Sequence, residues 1–247
     1  MHKPRAARGQ RPGARNPQRK GTRLTPSLLH FALSPACRLV RLVLAEKGVG
    51  FRLEPVRFWD RPEMLLRLNP AGTLPVLRIS EQAAALSDTR ALIEYLEEAV
   101  PEPCLLGPDS ESRAEVRRLT GWFLDKFAQE VSEPLLRERV LRGLMRDGSP
   151  DAAAIRAAKW NIQVHLDYIG HLAMRRRWLG GDRFSVADLA AAAHLSVPDY
   201  FGDVPWDRND HARDWYSRIK SRPSFRPLLQ DRIGGYPPPP HYADLDF

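Results

Sequence analysis

The sequence predicts an α/β unit built on a small mixed sheet, followed by an all-helical unit, and three observations carry that prediction. Over residues 25–100, short apolar runs and amphipathic segments alternate as strand–helix–strand and then strand–strand–helix. A proline-rich break follows at 101–109, with Pro101-Glu102-Pro103 and Leu106-Gly107-Pro108. Beyond it, apolar residues recur at three-and-four spacing over Ser110 to Phe127, Ser149 to Leu172 and Ser185 to Leu195, with no strand between.

The first predicted element is the buried strand Leu28-Leu29-His30-Phe31-Ala32-Leu33. Ser34-Pro35-Ala36-Cys37-Arg38 opens a helix, with Ser34 able to cap it and Pro35 at a tolerated first-turn position. That helix stops at Gly48, and a second strand follows at Phe51 to Val56. A loop carrying Phe58-Trp59-Asp60-Arg61-Pro62 leads into a short helix, Glu63 to Leu68. After a glycine turn come the strands Val76-Leu77-Arg78-Ile79 and Ala84-Ala85-Leu86. Asp88-Thr89 then caps a helix from Arg90 to Val100. Within the helical unit of 110–233, Ser185 and Asp188 form a variant capping box before the Ala-rich run Leu189 to Ala193. Residues 234–247 are a Pro-rich tail that favours polyproline II and ends in alternating acidic and apolar residues.

Composition excludes several classes. The chain has 247 residues and 43% hydrophobic content, enough for a sizeable core. No apolar run reaches the ~18 residues of a membrane-spanning helix. Cys37 and Cys104 are the only cysteines, which fits a reducing compartment and no disulfide framework. The histidines show no metal-ligand spacing. The net charge of +8 is located rather than spread: residues 1–24 hold eight Lys and Arg and no acid, so the rest of the chain is neutral. A nucleic-acid-binding body is therefore not indicated. The leader 1–24 cannot bury enough surface to offset ordering entropy, and disorder is expected there. It reads as a solvated extension, a start assigned too early, or a basic arm for an anionic surface.

Asn69-Pro70-Ala71-Gly72-Thr73-Leu74-Pro75-Val76-Leu77 resembles the Asn-Pro-x-Gly-x-Val-Pro-Val-Leu signature of the glutathione transferase superfamily, and the resemblance extends over roughly Leu28 to Leu229. It implies a thioredoxin-like N-terminal unit joined to the helical unit, the glutathione S-transferase fold. It also implies a cis bond before Pro75, a Leu74 backbone that pairs with the cysteinyl part of glutathione, and a homodimer. Taken alone, Pro75 equally reads as stiffening the start of a strand. Ser34 occupies the position of the thiol-activating residue in a Ser/Cys-Pro-x-x-Arg site, and it is equally a helix cap. Cys37 matches the second member of a Cys-x-x-Cys motif whose first member is absent, so it is either a single-cysteine site or an inert core residue. Asp88-Thr89 matches the pair that receives the γ-glutamyl end of glutathione and is equally a plain cap. Thr73 stands where many catalytic relatives carry a basic residue.

Two features favour a binding module: the Phe58-Trp59-Asp60-Arg61 loop by the groove and the terminal Pro238-Pro239-Pro240-His241-Tyr242-Ala243-Asp244-Leu245-Asp246-Phe247, an ending that ordinary transferases do not share. Both resemble a division-associated branch of the superfamily whose members bind the bacterial tubulin homologue FtsZ. The resemblance implies a cytoplasmic protein recruited to the division site, acting on filament curvature and constriction without required catalysis. Partner contacts are expected at Trp59, Arg61, Tyr242, Asp244, Leu245, Asp246 and Phe247, although Trp59 equally reads as a lid over the core and the tail as a segment packed across the protein's own surface. No cofactor is required on that reading, although glutathione is the ligand the groove would take. The competing expectation is a glutathione-dependent transferase or lyase acting on small electrophiles.

Overall fold

The computed structural model describes residues 25–80 and 83–245. The basic leader and the last two residues, Asp246 and Phe247, lie outside the described residues. The sheet is built around β1 (Ser27–His30), whose four residues are all buried, as a strand covered on both faces must be. β1 runs parallel to β2 (Arg52–Pro55) and antiparallel to β3 (Val76–Arg78). β3 in turn pairs antiparallel with β4 (Leu86–Ser87), giving the order β2-β1-β3-β4.

Helix α1 (Pro35–Glu46) starts where the sequence places it. The Ser34 hydroxyl accepts from the Cys37 amide at 3.3 Å, which satisfies one of the orphan donors of the first turn. Helices α2 (Glu63–Leu68) and α3 (Thr89–Ala99) complete this unit. The linker is tied down by a buried ion pair. Lys47 Nζ stands 2.7 Å from Glu97 and donates to the carbonyls of Val100 and Pro103, while Glu97 accepts from the Leu105 amide.

The helical unit opens with α4 (Ser110–Gly121), capped by Asp109. The spacing predicts this helix only to Phe127, yet helical winding continues to Met145. Trp122–Ser132 winds as π-helix, then come α5 (Glu133–Leu136), a second π stretch at Arg137–Leu141, and α6 (Arg142–Met145). The physical reason is the winding itself. A π segment moves the apolar repeat away from 3.6, and a test for three-and-four spacing then loses it. Next come α7 (Ala152–Arg175), α8 (Val186–Tyr200), α9 (Asp210–Lys220) and α10 (Arg226–Leu229). Every residue of α8 is buried, and it runs through Pro198 beyond the expected end at Leu195. Among the described residues no helix is long and apolar enough to cross a membrane.

Candidate functional site

A cleft of about 820 Å³ opens between the two units. The α/β unit contributes Ser34 at the start of α1, Thr73 and Leu74 from the turn before β3, and Asp88 and Thr89 at the start of α3. The Leu74–Pro75 bond is cis, as the signature implies, and Pro75 itself is buried beside the cleft-lining Leu74. Asp88 holds a positive φ of 73°, and its Oδ1 accepts from the Arg90 and Ala91 amides at 2.9 and 3.0 Å. A non-glycine residue in that region costs of order 1–3 kcal/mol and persists where its surroundings over-determine it, often at binding sites. The opposite wall was not legible in the sequence. Glu133, Arg137 and Arg142 line it from the long helical run that ends at Met145, and His194 lines it from α8.

The two candidate nucleophiles are placed very differently. Ser34 is half-buried on the cleft wall, whereas Cys37 faces the core and is fully buried. Burial pushes the Cys37 thiol up to about 11, against weaker help from Ser34 and the Phe31 backbone. The expectation of single-cysteine chemistry at Cys37 is corrected on that ground: a thiol this desolvated stays protonated at neutral pH. Cys104 is exposed. Native protein at pH 8 is therefore expected to consume one equivalent of iodoacetamide, at Cys104. Equal labelling of both thiols without denaturant would contradict the placement of Cys37.

His165 is satisfied, taking the Trp122 indole N–H at 3.2 Å and meeting Glu130 at 3.0 Å. His194 meets the Ser132 hydroxyl at 2.9 Å through Nδ1, and burial lowers its pKa to about 3. Both are neutral at pH 7. Among the described residues no group of three or more His, Cys, Asp or Glu side chains is placed to hold a metal ion.

The tail required a correction. Tyr242, expected as a presented anchor, is completely buried. Its ring stands edge-on to Tyr200 at 5.2 Å, and its hydroxyl meets the Arg38 guanidinium at 3.2 Å. Arg38 is itself buried, donating to the Ala32 carbonyl, to the Ser196 carbonyl and hydroxyl, and to Asp231. A phenol at this junction bolts the tail to α1 and α8, because a large aromatic ring gains more from the core than from water. Tyr242 sits in a 3-10 turn, Pro240–Ala243, and Pro239 ahead of the turn is extended, at φ −64° and ψ 156°. Asp244 is exposed and Leu245 is half-buried against the core.

The Trp59 loop lies close to the same region. Phe58–Asp60 makes a 3-10 turn whose Trp59 ring packs edge-on against Phe31 and Phe58, with the Arg57 guanidinium 5.5 Å from the indole. Trp59 is half-buried, and Arg61 is exposed. Across a shallow groove stands the end of the long helix, Gly143 to Arg146. Tyr236 of the tail packs on this end so closely that its hydroxyl lies 1.9 Å from where a Cβ at position 143 would stand, so a larger residue there would push the tyrosine aside. Loop, helix end and tail thus border one surface.

A four-stranded mixed sheet with a cis-proline turn, joined across a cleft to an all-helical unit, defines a protein of the glutathione S-transferase fold. The family model of the glutathione S-transferase N-terminal domain matches residues 33–99. The chain is 50% identical to a glutathione S-transferase from Rhodospirillum rubrum F11, with a TM-score of 0.87 over 90% of this chain and 100% of that one. It belongs to the glutathione S-transferase family. Among its relatives is FtsZ-localized protein A of Caulobacter vibrioides, 49% identical over 90% of this chain and 98% of that protein. The solved structure of FzlA from C. crescentus superposes with a TM-score of 0.87 at 49% identity, over 91% of this chain and 100% of that one.

Proposed function

We propose that this chain is a non-catalytic member of the family that binds filaments of the tubulin homologue FtsZ in the cytoplasm. On this reading it is recruited to the division site as a homodimer and acts on filament curvature and constriction. The observation that carries the reading is likeness to FtsZ-localized protein A along almost the whole of both chains. Two features of the site support it. Cys37 is desolvated and the Ser34 hydroxyl serves as a helix cap, so thiol chemistry has little to work with. The Trp59 loop and the tail border one surface.

A second reading, a glutathione-dependent transferase or lyase acting on small electrophiles, is favoured by the cleft, where Ser34, Leu74, Asp88 and Thr89 come together. A glutathione thiol seated there would meet the N-terminus of α1, where unpaired amides and the helix dipole favour a thiolate.

One purified sample separates the two. Trp59→Ala and Asp244→Lys are expected to reduce co-sedimentation with GTP-assembled FtsZ several-fold, as loss of an aromatic anchor or reversal of a steering charge does. Circular dichroism should remain that of the parent. Pelleting of the parent without a calorimetric signal from glutathione supports the division reading. Glutathione binding without pelleting overturns it and returns Ser34 to the centre.

A further inference from the structure

Three non-glycine residues hold a positive φ among the described residues: Asp88 in the cleft, Arg61 in the Trp59 loop, and Arg146 at the end of α6. Arg146, at φ 56°, occupies the left-handed position that closes a helix and that glycine normally takes. Its amide reaches back to the Gly143 carbonyl at 3.3 Å, so the closure is made while the side chain is left over. Neither Arg61 nor Arg146 has an ion-pair partner among the described residues. An arginine in a glycine position, with its charge unspent, gives the fold nothing that glycine would not.

The surroundings say what that charge faces. A groove of about 580 Å³ is lined by Arg57, Trp59 and Asp60 on one side and by Leu144, Met145 and Arg146 on the other. Met145 is 47% exposed there, a large apolar side chain that packs on nothing enough to hide it. Asp60 pairs with Arg57 at 2.8 Å, and Asp147, outside the groove lining, stands 3.8 Å from an Arg142 that Glu138 also holds. Of the charges that line the groove, Arg57 and Asp60 offset each other and Arg146 is left over, beside an apolar floor of Trp59 and Met145. The buried Trp59 indole N–H also finds no acceptor among the described residues. A small outward turn of the ring toward a docked carbonyl would relieve that cost.

Resting on the FtsZ reading above, we propose that Met145 and Arg146 complete the Trp59 surface, and that the occupant of this groove is an acidic segment of the filament protein that also carries an apolar side chain. A carboxylate of that segment pairs with Arg146, while the apolar side chain lies between Met145 and Trp59. The loop belongs to the α/β unit and the helix end to the helical unit, so the groove exists only while the two are docked.

The test is co-sedimentation with GTP-assembled FtsZ over a series of salt concentrations, using Arg146→Gly, Arg146→Lys and Met145→Ala beside the parent. Arg146→Gly relieves the backbone, so its melting temperature should equal or exceed the parent's, while its affinity for filaments falls about tenfold and its salt dependence flattens. Arg146→Lys should keep most of the parent's affinity, and Met145→Ala should lose several-fold. Parent pelleting with Arg146→Gly and Met145→Ala unchanged overturns this inference and leaves the FtsZ reading standing. Loss with Met145→Ala but not with Arg146→Gly overturns the acidic occupant. A parent that does not pellet overturns the FtsZ reading, and this inference with it.

Discussion

Asp188→Ala is expected to lower the unfolding free energy by ~3–5 kcal/mol, the range for breaking a buried, multiply hydrogen-bonded charge. Asp188 is fully buried, and one carboxylate gathers four donors from three places. It accepts from the Leu179 amide at 2.9 Å, the Trp215 indole at 3.0 Å, and the Ser185 amide and hydroxyl at 3.1 and 3.0 Å. Burial raises its pKa, and those four donors oppose the shift. Alanine would strand the donors in the core, at ~1–3 kcal/mol for each that no water reaches. Urea denaturation of the variant measures the loss. A drop of about 1 kcal/mol or less would mean that Asp188 is only a helix cap.

Tyr242→Ala is the second large effect, at ~3–5 kcal/mol for removing a fully buried aromatic ring from a packed site. The ring joins the tail to Tyr200 and lies 5.6 Å from the Lys220 ammonium, so its removal opens a cavity between α8, α9 and the chain terminus. Tyr242→Phe keeps the ring and gives up only the hydroxyl contacts to Arg38 and the Leu228 carbonyl, at ~1 kcal/mol. The alanine variant should also release the tail, giving rapid proteolytic cleavage near 237–243 while the parent and Tyr242→Phe resist. Equal resistance of all three would show that Tyr242 does not bolt the tail.

The legible part of this protein is the part written in local signals. Ser34 and Asp88 announce helix starts because a cap needs only a side chain and an amide two or three residues on, and Asp188 marks the start of α8 by accepting from the Ser185 amide three residues back. The Asn69–Leu77 stretch marks the cis-proline turn before β3 for a similar reason: its glycine and prolines act on their own backbone. The wall of the cleft from Glu133 to Met145 was not legible. Its winding abandons the 3.6 repeat, and its charged residues read as solvated surface although Glu138 is buried against Arg142 and the Asp151 amide.

The tail shows the same limit from the other side. Tyr242, Asp244 and Leu245 share one pattern of alternating acid and apolar residues, yet Tyr242 is core while Asp244 is surface. Nothing within the tail distinguishes them. Tyr242 is buried because Arg38, 204 residues earlier, meets its hydroxyl, and because Tyr200 offers a ring to pack on.

By itself the sequence determined the fold class, the order of the elements and the residues that face each other across a turn, since periodicity and capping act over a few residues. Only the tertiary structure decided that Ser34 lines the cleft while Cys37 is sealed beneath it. It alone brought the Trp59 loop, Gly143 to Arg146 and Tyr236 to one surface. Burial and charge pairing depend on partners far along the chain, and no local pattern encodes which of them arrive.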